Sequence, residues 1–157
     1  MTLMKTGLIL FLLFLVTLVN AETVQPDGLL VKSSQYSVSE TLDRLENIIK
    51  KKGITVFARI NHAQGAKNAG LALEPTELLI FGNPKLGSPL MQSQRTVAID
   101  LPLKAIAWQD KEGKVWLGYN APEYIAKRHG IKDQQAIVKK MTGVLNKLTD
   151  FATKAGQ

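Results

Sequence analysis

Apolar side chains along this chain follow two spacings, one typical of helices and one typical of strands. The first helical stretch starts at a Ser-x-x-Glu capping box, Ser37 and Glu40, and Gly53 stands where such a helix would end. A second helical stretch follows Asp133, which is placed to cap it. Its apolar stripe consists of Ile137, Met141, Val144, Leu148 and Phe151. These patterns predict two amphipathic helices whose apolar faces must cover another layer.

Alternating or continuous apolar positions predict five strands, at residues 28–34, 54–60, 78–81, 97–108 and 115–120. Pro102 interrupts the fourth strand and predicts an edge, a bulge or a bend there. Residues 110–114 form a hairpin turn between the last two strands.

Two shorter helices are predicted to begin at Pro84 and Pro122, since proline suits the first turn of a helix. The second of them ends at Gly130, and a short helical turn is predicted at residues 62–67. The resulting order, β-α-β-β-α-β-β-α-α, predicts an α+β fold in which helices pack on a largely antiparallel sheet. The two C-terminal helices are expected to lie against a face of this sheet.

The N-terminal segment predicts export. Residues 7–19 form an apolar run broken only by Thr17, Lys5 precedes it, and Ala21 stands at a suitable cleavage site. The run is shorter than the ~20 apolar residues that span a bilayer. We therefore expect a signal peptide at residues 1–21, a flexible lead at residues 22–27 and a single domain at residues 28–157. The mature protein is expected in the periplasm or outside the cell, without a stable membrane anchor.

Charge and composition exclude several kinds of function. The chain has 20 basic and 13 acidic residues, a net charge of +7, but these charges are dispersed. Its one run of three, at residues 50–52, falls at a helix end, where cations complement the helix dipole. We therefore expect no nucleic-acid partner. The absence of cysteine excludes thiol catalysis and thiolate metal sites, and we expect no cofactor.

Several short motifs in the middle of the chain resemble the domain family of unknown function 302. They are Asn61-His62-Ala63, Gly70-Leu71, the run from Pro75 to Pro84 (PTELLIFGNP), Gly87 with Leu90-Met91, Ile99-Asp100-Leu101-Pro102-Leu103, and Tyr119 with Pro122. The resemblance extends over roughly residues 28–148. It implies a compact α+β domain and supplies no catalytic residues.

Candidate chemistry centres on His62, which follows a strand and precedes a loop of small residues. It could be a general base, a ligand to a metal or haem iron, or a structural link between strand and loop. Asp100, an acid among apolar residues, could be its acid–base partner if both share a cleft. Alternatively, it could cap the loop at residues 82–84 or pin the bulge at Pro102. Met91 could add a soft ligand to haem iron or copper, or simply fill the core. His129, at a predicted helix end, is expected to be structural.

The leading hypothesis is a non-catalytic binding or interaction module with a pocket between residues 61–70, residues 82–91 and the Asp100 strand. A small anionic or hydrophobic ligand, or a second copy pairing at a sheet edge, is the expected partner. Residues expected to contact a ligand are His62, Lys67, Asn83, Lys85, Met91 and Tyr119. The rival hypothesis is a small acid–base enzyme that uses His62 and Asp100, and a haem or copper protein is the third.

Overall fold

The computed structural model describes residues 27–154 of the chain, so the expected signal peptide lies outside the described residues. The strands are β1 (Leu29–Ser34), β2 (Thr55–Asn61), β3 (Thr76–Gly82), β4 (Leu103–Gln109) and β5 (Val115–Asn120). The helices are α1 (Val38–Lys51), α2 (His62–Asn68), α3 (Pro84–Ser93), α4 (Pro122–Arg128) and α5 (Gln135–Thr153). This composition confirms the α+β class.

The five strands form one antiparallel sheet in the order β1-β5-β4-β3-β2. α1 and α5 cover one face of the sheet and pack on each other, while α4 packs on α5. No helix in the stretch from residue 27 to residue 154 is long and apolar enough to cross a membrane.

Local sequence signals explain how α1 begins and ends. The side chain of Ser37 accepts a hydrogen bond from the backbone N–H of Glu40, which confirms the predicted cap. Gly53 follows the helix with a φ of 68°, a conformation that glycine adopts without strain. Arg59 then ties the edge strand β2 to the helix layer through ion pairs with Asp43 and Glu46 of α1, and it also pairs with Glu77 of β3.

Three details differ from the sequence-based prediction. Residues 97–99 do not extend β4, because Arg95–Ile99 is a 3₁₀ helix and strand pairing starts only at Leu103, after Pro102. Asp133 does not cap α5, since the helix starts at Gln135 and the Asp133 carboxylate accepts a hydrogen bond from Ser93 instead. Phe151, the last residue of the predicted apolar stripe of α5, is not buried, because its side chain is 48% exposed.

The buried apolar side chains form two clusters. The larger cluster joins α1 and the C-terminal part of α5 to the covered face of the sheet. The smaller cluster joins α3, the 3₁₀ helix, α4 and the start of α5; it consists of Leu90, Val97, Ile125, Ala126, Ile131, Val138 and Met141. α5 is thus the element that both clusters share.

Candidate functional site

The side chains that the sequence suggests as ligand contacts do not meet at one place. His62 and Lys67 belong to α2, at the end of the sheet where β2 finishes and β3 begins, which we call the α2 end. Lys85 and Met91 belong to α3 and Asn83 is its N-cap. This helix follows β3 at the opposite end of the sheet, which we call the α3 end. The loops that we expected to converge on one pocket therefore lie at opposite ends of the sheet.

His62 and Asp100 are separated by the length of the sheet. His62 follows the end of β2, which pairs with the start of β3, whereas Asp100 precedes β4, whose first residue pairs near the end of β3. Since β3 has 7 residues, the two groups are on the order of 20 Å apart at the rise of a strand. The acid–base pair suggested by the sequence is therefore not assembled.

His62 is the exposed first residue of α2. The preceding Asn61 caps this helix, because its Oδ1 accepts a hydrogen bond of 2.8 Å from the backbone N–H of Gln64. Lys67 borders an open groove of about 450 Å³ between α2 and residues 71–77, and His62 is not part of its wall. This groove is shallow, and both polar and apolar side chains line it.

The imidazole partner of Asp100 is His129, the C-cap of α4, and not His62 of α2. Its residue is 8% exposed, and its Oδ2 lies 2.7 Å from Nε2 of His129. Its Oδ1 accepts a hydrogen bond of 3.2 Å from Arg128. A buried carboxylate requires such partners, and this requirement is the one sequence signal that could have linked Asp100 to His129.

The other ring nitrogen of His129, Nδ1, lies 3.1 Å from the hydroxyl of Thr96 in the 3₁₀ helix. Hydroxyl, imidazole and carboxylate thus form a row that resembles a nucleophile, base and acid. However, the His129 side chain is only 8% exposed, and none of the three residues lines the groove beside α2 or the apolar cavity at the α3 end. The row therefore serves to tie the 3₁₀ helix to the end of α4.

A more enclosed and largely apolar cavity, with a volume of about 370 Å³, lies at the α3 end between the two apolar clusters. The sheet, α3, the segment before β4 and α5 all contribute walls. The apolar side chains on these walls are Ile54, Phe57, Phe81, Pro84, Leu86, Met91, Leu101, Pro102, Leu103, Met141, Val144, Leu145 and Leu148. Of the residues suggested by the sequence, Asn83 and Met91 lie on the wall.

Small residues and a bulge open this cavity. Gly87 of α3 lines it, and a Cβ added there would meet Leu101 at 3.6 Å and Met91 at 3.9 Å. On β2, the register shifts between Val56 and Ala58, and the bulged Phe57 is 55% exposed at the cavity. The absence of a side chain at Gly87 thus leaves that part of the cavity free.

Polar groups are few on the cavity wall. Asn83 and Ser88 are its only polar side chains among the described residues, and none of the lining residues is charged. Lys85 is exposed on the first turn of α3, where its backbone N–H donates to Oδ1 of Asn83 at 2.9 Å. The cavity therefore suits an apolar molecule rather than an ion.

A set of side chains that could hold a metal ion is not present among residues 27–154. Within residues 27–154, no three His, Cys, Asp or Glu side chains are grouped as a metal site requires. His62 and Met91, the two ligands suggested for haem iron or copper, lie at opposite ends of the sheet.

Tyr119 lies on β5 beneath the helices, where it is 4% exposed, and it does not line the cavity. Burial raises the pKa of its phenol, against a smaller opposing effect of its hydrogen bond with Thr149. The expectation that Tyr119 contacts a ligand is thus replaced by a role in the core.

Two curated proteins resemble most of this chain. The fluoride-specific ion channel FluC 1 of Brucella suis biovar 1 (strain 1330) is 49% identical over 118 residues, which are 74% of this chain and 46% of the relative. FluC 1 of Brucella abortus biovar 1 (strain 9-941) is also 49% identical, over 44% of its length. The chain therefore spans less than half of these relatives.

Structural and family comparisons agree on the fold. The crystal structure of an uncharacterised conserved DUF302 protein from Bacillus stearothermophilus superposes with a TM-score of 0.72 at 20% identity, covering 81% of this chain and 99% of that one. The sequence profile of the domain of unknown function DUF302 matches residues 30–148. This chain belongs to the DUF302 family.

Proposed function

We propose that this protein is a binding module that holds a small apolar molecule in the cavity at the α3 end. The observation that carries the proposal is a cavity of about 370 Å³ whose wall is apolar apart from Asn83 and Ser88. Ligand sites typically have volumes of 300–1,000 Å³ and combine an apolar lining with few polar groups.

The packing of the protein supports this proposal. The cavity is partly open to solvent and reaches between side chains of the two buried apolar clusters, where proteins are normally filled to a density of about 0.74. Water gains few hydrogen bonds against a wall of leucine, methionine and phenylalanine, so an apolar occupant would replace it favourably. Met91 and Met141 both line the space, and their flexible side chains can adapt to occupants of different shape.

Binding rather than acid–base chemistry is supported by the composition of the wall. None of the residues that line the cavity is an aspartate, glutamate, histidine, lysine or arginine. Asp100 directs both of its oxygens at His129 and Arg128, and His62 is at the α2 end. General acid–base catalysis needs a titratable group within hydrogen-bond reach of the substrate.

Fluoride conduction is not part of the function that we propose for this chain. The Brucella proteins are named fluoride-specific ion channels, but the shared region is less than half of each. We propose that the shared region is a binding domain in those proteins too, and that conduction belongs to the remainder. We also propose export to the periplasm or beyond, supported by the pattern of residues 1–21. Mass spectrometry of the mature protein should find Glu22 at its N-terminus.

Naphthalene, a neutral hydrocarbon of ten carbon atoms, is a suitable probe for the cavity. Isothermal titration calorimetry of the protein into dissolved naphthalene should give a 1:1 complex with a Kd below about 100 µM. Gly87→Leu should weaken binding at least tenfold, because the new side chain enters the cavity.

Gly143→Leu is the matched control. Gly143 is also a helical glycine, but it lies on the exposed side of α5 and a Cβ there meets nothing within 4 Å. Circular dichroism should show both variants folded. The proposal is rejected if the wild type binds no naphthalene, or if folded Gly87→Leu binds it as tightly as Gly143→Leu does.

A further inference from the structure

The hydroxyl of Ser88 is an exception among the helical hydroxyls of this protein. Thr142, Thr149 and Thr153 each donate to the backbone carbonyl four residues earlier, as is usual in helices. Ser88 lies on the cavity wall in the middle of α3, and none of the hydrogen bonds formed within residues 27–154 involves its side chain. A half-buried hydroxyl is thus available to a molecule in the cavity.

Asn83, the second polar residue on the wall, offers a further donor. Its Oδ1 is engaged by the backbone N–H of Lys85, which leaves the Nδ2 amide group without a partner among the described residues. Both polar groups belong to α3, one at its N-cap and the other five residues later. The polar part of the cavity is therefore confined to one side.

Electrostatics limits what this polar side can hold. A charged group brought into the cavity would meet no opposite charge on the wall, and burying an unpaired ion is far less favourable than burying a neutral, hydrogen-bonded group. A hydroxyl or carbonyl oxygen can use the Ser88 hydroxyl and the Asn83 amide without this penalty.

The volume sets the size of the molecule. At about 30 Å³ for each water in the liquid, 370 Å³ corresponds to roughly a dozen water-sized volumes. On the basis of the proposed function, we infer that the ligand is an uncharged amphiphile of about a dozen non-hydrogen atoms, bound by Ser88 through a single hydroxyl or carbonyl group.

Three probes with the same ring system separate the possibilities: naphthalene, 2-naphthol and 2-naphthoate, titrated by calorimetry at pH 7. 2-Naphthol should bind about fivefold more tightly than naphthalene, the gain expected for one hydrogen bond. 2-Naphthoate should bind more weakly than 2-naphthol.

Ser88→Ala should bring the affinities for 2-naphthol and naphthalene to within a factor of two of each other. Ser93→Ala, a change on the same helix at a residue that does not line the cavity, should keep the difference. The ratio of the two affinities in the wild type tests the inference even if Ser88→Ala does not fold.

Failure of the inference differs from failure of the proposed function. If naphthalene binds but 2-naphthol gains nothing, or gains equally in Ser88→Ala, the assignment to Ser88 is wrong. If 2-naphthoate binds most tightly and loses affinity in Lys85→Ala, the ligand is an anion whose charge stays at the exposed Lys85. If naphthalene itself does not bind, the proposed function is wrong.

Discussion

Replacing Asp100 by alanine tests whether this carboxylate stabilises the protein or serves a reaction. Asp100 directly precedes Leu101, Pro102 and Leu103, which form one wall of the cavity. Its bonds to His129 and Arg128 connect this segment to the end of α4. Loss of the carboxylate should therefore loosen the α3 end of the molecule.

The magnitude follows from the exposure of each partner. The side chains of Asp100 and His129 are 9% and 8% exposed, so their bond is shielded from water; a hydrogen bond to a charged group of this kind contributes about 1.5–3 kcal/mol. Arg128 is 51% exposed, and its ion pair is screened to below about 1 kcal/mol. We expect Asp100→Ala to lower the free energy of unfolding by about 1.5–4 kcal/mol.

Urea unfolding followed by circular dichroism measures this change. A double-mutant cycle with His129→Ala should give a coupling free energy above about 1 kcal/mol, since both side chains share one bond. Asp27→Ala, which removes an exposed aspartate whose side chain forms no hydrogen bond with residues 27–154, serves as the control. An unfolding free energy within about 0.5 kcal/mol of the wild type, or a more stable variant, would refute the structural role and favour a functional carboxylate.

Three further predictions concern β5 and the turn before it. Gly118→Val should destabilise the protein by about 1–2 kcal/mol in urea unfolding, because the first added carbon would lie 3.0 Å from the indole of Trp108. The hydrogen bond from Trp116 lowers the pKa of Asp110, so its stabilisation is present above the unfolded pKa of about 3.9 and is lost as the pH falls through the folded value. An acid titration of tryptophan fluorescence should show a transition with a midpoint below about pH 3.9, and Asp110→Asn should abolish this transition. Burial raises the pKa of Tyr119, so its stabilisation is present below about pH 10 and is lost as the pH rises through the folded pKa. Tyr119→Phe should therefore flatten the decline of stability measured above pH 10, and an unchanged decline would contradict this assignment.

Much of the fold was predictable because its signals are local. The cap at Ser37 and the glycine at Gly53 bound α1 as expected, and both prolines that were predicted to start helices stand at the first helical position. Residues 97–99 were predicted as strand from their apolar character. That character serves another purpose, because Val97 is buried in the smaller cluster while Ile99 remains 71% exposed.

The candidate site was less predictable, since it depends on which ends of the strands meet. Consecutive antiparallel strands run in opposite directions, so the loop after β2 and the loop after β3 must lie at opposite ends of the sheet. This rule alone separates His62 from α3. The partnership of Asp100 with His129 joins positions 29 residues apart, and no periodic pattern reports such a contact. Ser88 was not predicted as a ligand contact, because its place on a cavity wall depends on how α3 and α5 pack against the sheet.

The division of the apolar core into two clusters has a dynamic consequence. α3, the 3₁₀ helix, α4 and the first turns of α5 pack around the smaller cluster, whereas the sheet and α1 depend on the larger one. Such a division allows sub-global opening, in which one cooperative unit loses protection from hydrogen exchange while the other keeps it. Amides of α3 and α4 should then exchange faster than those of β3 and β4. Transient opening of the elements around the smaller cluster would also let a ligand enter and leave the cavity without breaking any strand pairing.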